Sequence, residues 1–256
     1  MIWWNGRPGN SRQKIRMAAR LPLLFMLSAP LWAQQAILPF VGCKSDGQAG
    51  PIDPPTETNK AMQIPAIAAQ RLAYYKAAKG FGVLAPRGWY CFGTYGSSGA
   101  SLFVSPDPID RAALFSTDWT GFMGPAIQLT LSDGGTSGRF EVARVIARVF
   151  PAHRAFADQV ATERAADAST ILFGRWPADE LTWKSGEIVE YQTPANTAGL
   201  GTDSRLKEGS EPIDGVAILT GPEIGLLHLS ARLPEDLRDL TPAIIEQVER
   251  EAPPLQ

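Results

Sequence analysis

Residues 80–106, GFGVLAPRGWYCFGTYGSSGASLFVSP, carry the strongest strand–turn–strand pattern in the chain. Alternation predicts a strand with Trp89, Cys91, Gly93 and Tyr95 on one face and Tyr90, Phe92 and Thr94 on the other. Gly96-Ser97-Ser98-Gly99 reads as the connecting turn, with Leu102 and Val104 on the buried side of the returning strand. Aromatic residues on both faces predict a strand covered on both sides. Pro86 ahead of it and Pro106 and Pro108 behind it mark its ends.

Upstream, the chain reads as an exported protein. Leu21–Ala33, LPLLFMLSAPLWA, is an apolar run preceded by basic residues, the pattern of a signal peptide spanning residues 1–33. Thirteen helical residues rise only about 20 Å, short of a hydrocarbon core of about 30 Å, so no stable membrane span is expected. Translation from Met17 would give a compact signal with Arg20 as its positive region; cleavage fits after Ala33 or after Ala36. Residues 1–33 hold five basic residues and no acidic one, which leaves 19 basic against 26 acidic residues, a net of −7. That balance, with no basic cluster, disfavours nucleic acid. The only two cysteines, Cys43 and Cys91, are expected to form a disulfide in an oxidising compartment. The competing reading makes Cys43 a lipid anchor, because FVGC superficially resembles a bacterial lipobox. Phe40 in place of an aliphatic residue, the polar Gln34-Gln35 and an odd Cys91 argue against it.

Residues 34–60 read as an extended, Gly- and Pro-rich arm, 61–251 as one globular domain and 252–256 as a tail. Ile64, Ile67, Ala68, Leu72, Tyr75 and Ala78 recur at helical intervals and predict a helix over Asn59–Lys79, with one core and one boundary tyrosine at 74–75. A short helix is expected at 110–115, a strand at 126–131, helices at 140–150 and 154–168, and a hairpin at 181–193 pairing Trp183 with Tyr191. Residues 194–212 read as a long polar loop, a lid or a mobile excursion. Strands at 215–219 and 224–231 precede a last helix, with Thr241 as its N-cap, Pro242 first inside and Leu240 stapled onto Ile245. The sum is an α+β protein, a mainly antiparallel sheet with helices packed against it.

The blocks GCKSDGQAGP and GVLAPRGWYCFGTYGSSG resemble exported proteins of Gram-negative bacteria, a likeness over roughly residues 40–110 that brings no activity with it. A looser likeness, carried by Pro86, Gly88 and Trp89 ahead of an antiparallel sheet, is to the Mog1/PsbP-type fold. It implies a non-catalytic accessory or binding role, and fold does not fix function.

No motif demands a particular chemistry. Ser97 and Ser98 lie in no G-x-S-x-G elbow, and GSSG between strands is turn chemistry first. A hydrolase would have to join one of them to His153 or His228, the only histidines. Two distant histidines and two paired cysteines make no zinc cluster, the acidic residues lack EF-hand spacing, and no cofactor motif is present. One constellation remains. A Cys43–Cys91 bond would bring Asp46 and Gln48 beside Trp89 or Tyr95, near Ser97 and Ser98, polar groups against aromatic surface that suit a glycan, a peptide or an envelope protein. The alternative is that these residues merely pin the arm to the sheet. The sequence therefore predicts a periplasmic or secreted binding or accessory protein of the cell envelope, without catalytic residues, metal or cofactor.

Overall fold

A computed structural model describes residues 34–109, 111–163, 171 and 174–255. The expected signal segment with Met17 and the Ala33 position, the end of the helix expected at 154–168, and Gln256 lie outside the described residues. Among the described residues no helix is long and apolar enough to cross a membrane. The strands are β1 Gln34–Cys43, β2 Ser45–Gly47, β3 Asn59–Ile64, β4 Leu72–Ala77, β5 Val83–Pro86, β6 Tyr90–Gly96, β7 Gly99–Ser105, β8 Ala126–Ser132, β9 Glu180–Trp183, β10 Ile188–Thr193, β11 Ile213–Thr220 and β12 Gly225–Arg232. The α-helices are α1 Ala66–Arg71, α2 Arg111–Leu114, α3 Arg139–Val149, α4 Arg154–Glu163 and α5 Thr241–Glu251.

The strands form two sheets, one of four in the order β3-β1-β4-β5 and one of eight in the order β2-β6-β7-β8-β12-β11-β10-β9. Neighbours are antiparallel except for β1–β4 and β2–β6. The fold is α+β.

The hairpin sits in the eight-stranded sheet. Tyr90 to Gly96 pair with Ser105 to Gly99, and Ser97-Ser98 make the turn. Cys91, Gly93 and Tyr95 oppose Val104, Leu102 and Ala100, in the register that the alternation predicts. That face meets the four-stranded sheet. Leu38, Tyr75 and Leu84 from the smaller sheet pack with Leu102, Val104, Ile127 and Leu229 from the larger one, and with Ile244 and Val248 of α5. The Cys43–Cys91 disulfide joins the end of β1 to β6, with Cα atoms 5.4 Å apart. Bonded and buried, Cys43 has no thiol left for a lipid anchor.

The arm is structural. β1 is an inner strand between β3 and β4, and β2 continues it past Lys44 onto the edge of the larger sheet. The helix expected over 59–79 is instead strand, one helical segment and strand. Pro65 ends β3 with an extended backbone, and α1 lasts six residues. β4 follows as an inner strand in which Leu72, Ala73, Tyr74, Tyr75 and Ala77 are all buried. A strand covered on both faces reads as a near-continuous apolar run, which periodicity does not separate from a helix. Ile67, assigned to the core on that reading, is 68% exposed. Both tyrosines are core residues; Tyr74 donates to Glu251 and Tyr75 to the Pro86 carbonyl.

α3 and α4 cover the other face of the larger sheet, over β10–β12, where Val142, Ile146, Val149 and Val160 meet Val189, Ala217 and Leu219. In the β9–β10 hairpin, Trp183 opposes Val189 and Tyr191 opposes Leu181, so Trp183 and Tyr191 are not direct partners. The 194–212 stretch is packed rather than a free excursion. Leu200 and Leu206 are fully buried, and Asp179 accepts from the Thr193 hydroxyl at 2.7 Å and from the Leu200 N–H at 2.8 Å. At α5 the 3-10 turn Glu235–Leu240 runs straight into the helix. Thr241 is already helical and makes no cap bond, which corrects the expected N-cap. Leu240 and Ile245 are both in the core.

Candidate functional site

Cross-strand register builds the site. On the face of the larger sheet turned away from the smaller one, Asp46, Thr94, Ser101, Thr130, His228, Ala217 and Val189 follow one another across seven strands. The next row runs Phe103, Gln128, Ser230, Gly215 and Tyr191. The first row is polar from β2 to β12 and turns apolar at β11 and β10; the second is polar at β8 and β12, with Phe103 on β7. The apolar stripe of α3 settles on the apolar end. Its first turns, with Phe140, Glu141 and Arg144, overhang the polar part. Between helix and sheet lies a cleft of about 520 Å³, floored by Ser101, Gln128, Thr130, Ser132 and His228 and closed at one side by Asp203, Ser204 and Arg205.

The floor is internally ordered. Gly215 lacks the β-carbon that would come 2.5 Å from the Tyr191 hydroxyl, so the phenol crosses it to reach β12. There it stands 2.8 Å from the Leu229 carbonyl, 2.7 Å from Ser230 Oγ and 3.0 Å from His228 Nε2. A carbonyl only accepts, so the single phenolic proton goes to Leu229, and Ser230 O–H and His228 Nε2–H donate to the phenol oxygen. That assignment leaves Nδ1 of His228 as a hydrogen-bond acceptor. Burial, with Arg144 adding to it, lowers the imidazole pKa to about 4 and keeps it neutral. Beside it, Gln128 accepts from the Arg205 backbone N–H at 2.8 Å, which orients its amide to donate to Thr130 at 2.8 Å. Thr130 and Ser101 hydroxyls lie 2.9 Å apart.

The walls carry the charge. Arg144 bonds Glu141 at 2.6 Å and meets Asp203 at 3.2 Å. Burial raises the Glu141 carboxyl pKa, opposed by the Arg144 guanidinium beside it. Arg205 lies exposed at the rim with its guanidinium 5.6 Å from the Trp119 ring centroid. Among the described residues no group of three or more His, Cys, Asp or Glu is placed to hold a metal ion.

Compared with known proteins, the chain matches no family model, no curated protein and no solved structure.

The residues singled out from the sequence separate into four places. Gln48, Tyr95 and Ser97 line a second, more apolar depression of about 590 Å³ with Ile52, Ala100 and Leu131. The Gln48 N–H donates to the Tyr95 carbonyl, and Tyr95 O–H to Gly50. Ser98, one residue on, belongs to the polar cleft, so the hairpin turn divides the two. Asp46 joins neither: its buried carboxylate accepts from the Gly47 N–H at 2.7 Å and pairs with Arg111 of α2. Trp89 stands one residue ahead of β6, about 20 Å along the chain from Tyr95. It packs against the inter-sheet core, and its N–H donates to Tyr75. Ser97 Oγ lies 3.5 Å from Ser137 Oγ, His153 pairs with Glu187, and His228 is held by Tyr191. Among the described residues no hydrogen bond joins Ser97 or Ser98 to a histidine.

Most of the cleft escaped sequence reasoning. Gln128 and Thr130 were visible as the polar side of a strand, and the solvated face is the ordinary meaning of such alternation. Glu141, Arg144, Asp203 and Arg205 carry no local signal that they converge.

Proposed function

We propose that this protein is a non-catalytic binding protein of the cell envelope, periplasmic or secreted, whose ligand enters the cleft over β7, β8 and β12. One observation carries the reading: a floor in which Ser101, Thr130 and Gln128 are hydrogen-bonded in a chain, with His228 beside them held by Tyr191, lies beneath an opening of about 520 Å³. Polar groups on a sheet face that a helix covers are costly to desolvate unless paired. A core-forming sheet with no ligand to serve would be more stable with apolar residues under α3, as it has at β10 and β11. The size lies within the range of small-molecule pockets, and convergent hydroxyl, amide and imidazole groups supply orientation. Among the partner classes expected, a glycan or a fragment of one suits such a hydroxyl-rich floor best.

The Cys43–Cys91 disulfide supports an oxidising compartment, and the apolar, base-flanked segment at 21–33 supports export to it. N-terminal sequencing of the protein from fractionated cells tests this. A cytoplasmic product still carrying residues 1–33 would defeat the placement. For the site, the test is titration of the oxidised protein with a panel of sugars, amino acids and short peptides, followed by backbone amide shifts. Responses confined to β7, β8, β12 and the first turn of α3 are expected; responses elsewhere, or none, would remove the cleft reading. The serine-hydrolase alternative has less behind it, because Nε2 of His228 is committed to Tyr191 and Ser97 faces Ser137.

A further inference from the structure

The charges at the cleft do not balance evenly. Arg144 is flanked by two carboxylates, Glu141 at 2.6 Å and Asp203 at 3.2 Å, and has no charge to spare for a ligand. Arg205 differs. The residue lines the edge of the cleft, its guanidinium lies 5.6 Å from the Trp119 ring centroid, and no carboxylate pairs with it among the described residues. Its backbone is fixed by the bond from its N–H to Gln128, the residue that also orients the floor. A positioned cation and an ordered array of neutral donors and acceptors therefore share one opening.

The floor specifies the neutral part of the ligand. Nδ1 of His228 accepts, while Ser101, Thr130 and Ser132 each donate or accept. Hydroxyl groups satisfy both kinds of partner, and several of them on one small ring would meet several floor residues at once. The rim specifies the charged part. A guanidinium matches the planar fork of a carboxylate. A doubly charged phosphate would gain the same bond but would bring twice the charge into a cleft that Glu141 and Asp203 also line, so a single negative charge fits better.

Resting on the reading of the cleft as the ligand site, we infer that its ligand is a sugar acid, a saccharide bearing a carboxylate. Its hydroxyls lie on His228, Ser101 and Thr130, and its carboxylate on Arg205.

The test compares D-glucuronate, D-glucose and inorganic phosphate by calorimetric and amide-shift titration of the oxidised protein, with Arg205→Gln as the variant. Arg205 is exposed and its backbone bond survives the change, so the variant keeps the fold. Glucuronate is expected to bind at least about tenfold tighter than glucose, and Arg205→Gln to erase that ratio, as the loss of one charge-assisted bond implies. Equal affinity for the two sugars, an unchanged ratio in the variant, or tighter binding of phosphate overturns the assignment of an acid group. If none of the three binds but a dipeptide panel moves the floor amides, the sugar-acid class falls and the cleft reading stands. If nothing moves them, both fall.

Discussion

At Gly215 any β-carbon would press on the Tyr191 hydroxyl, so the residue that orders the cleft floor is one with no side chain. Gly215→Ala is expected to displace the phenol and cost about 1–3 kcal/mol, read from urea denaturation. Tyr191→Phe keeps the ring but leaves the Leu229 carbonyl, Ser230 and His228 short of a shared partner, at a similar expected cost of about 1–3 kcal/mol. His228 also sets a pH dependence. Its folded pKa of about 4 lies below the unfolded value of about 6.5. The unfolded chain therefore takes up a proton first as pH falls. The contribution is complete above about pH 6.5 and is lost progressively toward pH 4, by about 2 kcal/mol between pH 7 and pH 5. Denaturation midpoints of the parent and His228→Gln at those two pH values check it; parallel slopes would show that the imidazole is not buried neutral. His228 falls in the strand expected at 224–231 and Tyr191 in the hairpin expected at 181–193, but the bond between them was not legible, because the two meet only through the β10–β11–β12 register.

Among the elements, β1 and α5 hold the two sheets together. The disulfide closes a loop with a sequence separation of 48 residues, which corresponds to about 4 kcal/mol in the chain-entropy picture. Denaturation with and without reductant is expected to differ by about that much. No difference would mean that the packing of β1 between β3 and β4 suffices. α5 is keyed by Gln247, fully buried, which accepts from the Leu84 N–H at 2.9 Å and donates to the Gly82 carbonyl at 3.1 Å. Gln247→Leu strands both backbone groups and is expected to cost about 2–4 kcal/mol. Arg232 does comparable work on the cleft side, buried and donating to the carbonyls of Phe122, Met123, Gly124 and Lys207. It ties the 119–125 and 206–209 loops to β12 and so steadies the rim on which Arg205 sits. The long 194–212 stretch reads as a lid from composition alone. Its buried Leu200 and Leu206 make it a fixed wall, and two leucines among nineteen residues are too sparse a signal to announce that.

Across the whole molecule, two sheets with one shared core leave the outer face of the larger sheet to be covered; among the described residues α3 and α4 cover β10–β12, and Trp119 and Phe122 pack on Phe103 of β7. The cleft opens between these two covers, over β7, β8 and β12. A ligand bound there is expected to stabilise the fold by about 2.7 kcal/mol at a hundredfold excess over its Kd, seen as a shifted melting transition. What the sequence determined by itself is whatever depends on near neighbours: the Ser97-Ser98 turn, the alternating faces of β6 and β8, the stripe of α3, and the bonding of the only two cysteines. Turn chemistry and periodicity act within a few residues, so they survive without tertiary context. The identity of β4 was not legible, because burial on both faces erases the alternation that marks a strand. Nor was the cleft. Whether the polar side of β8 meets water, a helix or a ligand depends on where α3 lands, and α3 lands where β10 and β11, far along the chain, supply apolar partners. Only the assembled sheet decided that Ser101, Thr130 and His228 would lie side by side under a helix too short of apolar contacts to close over them.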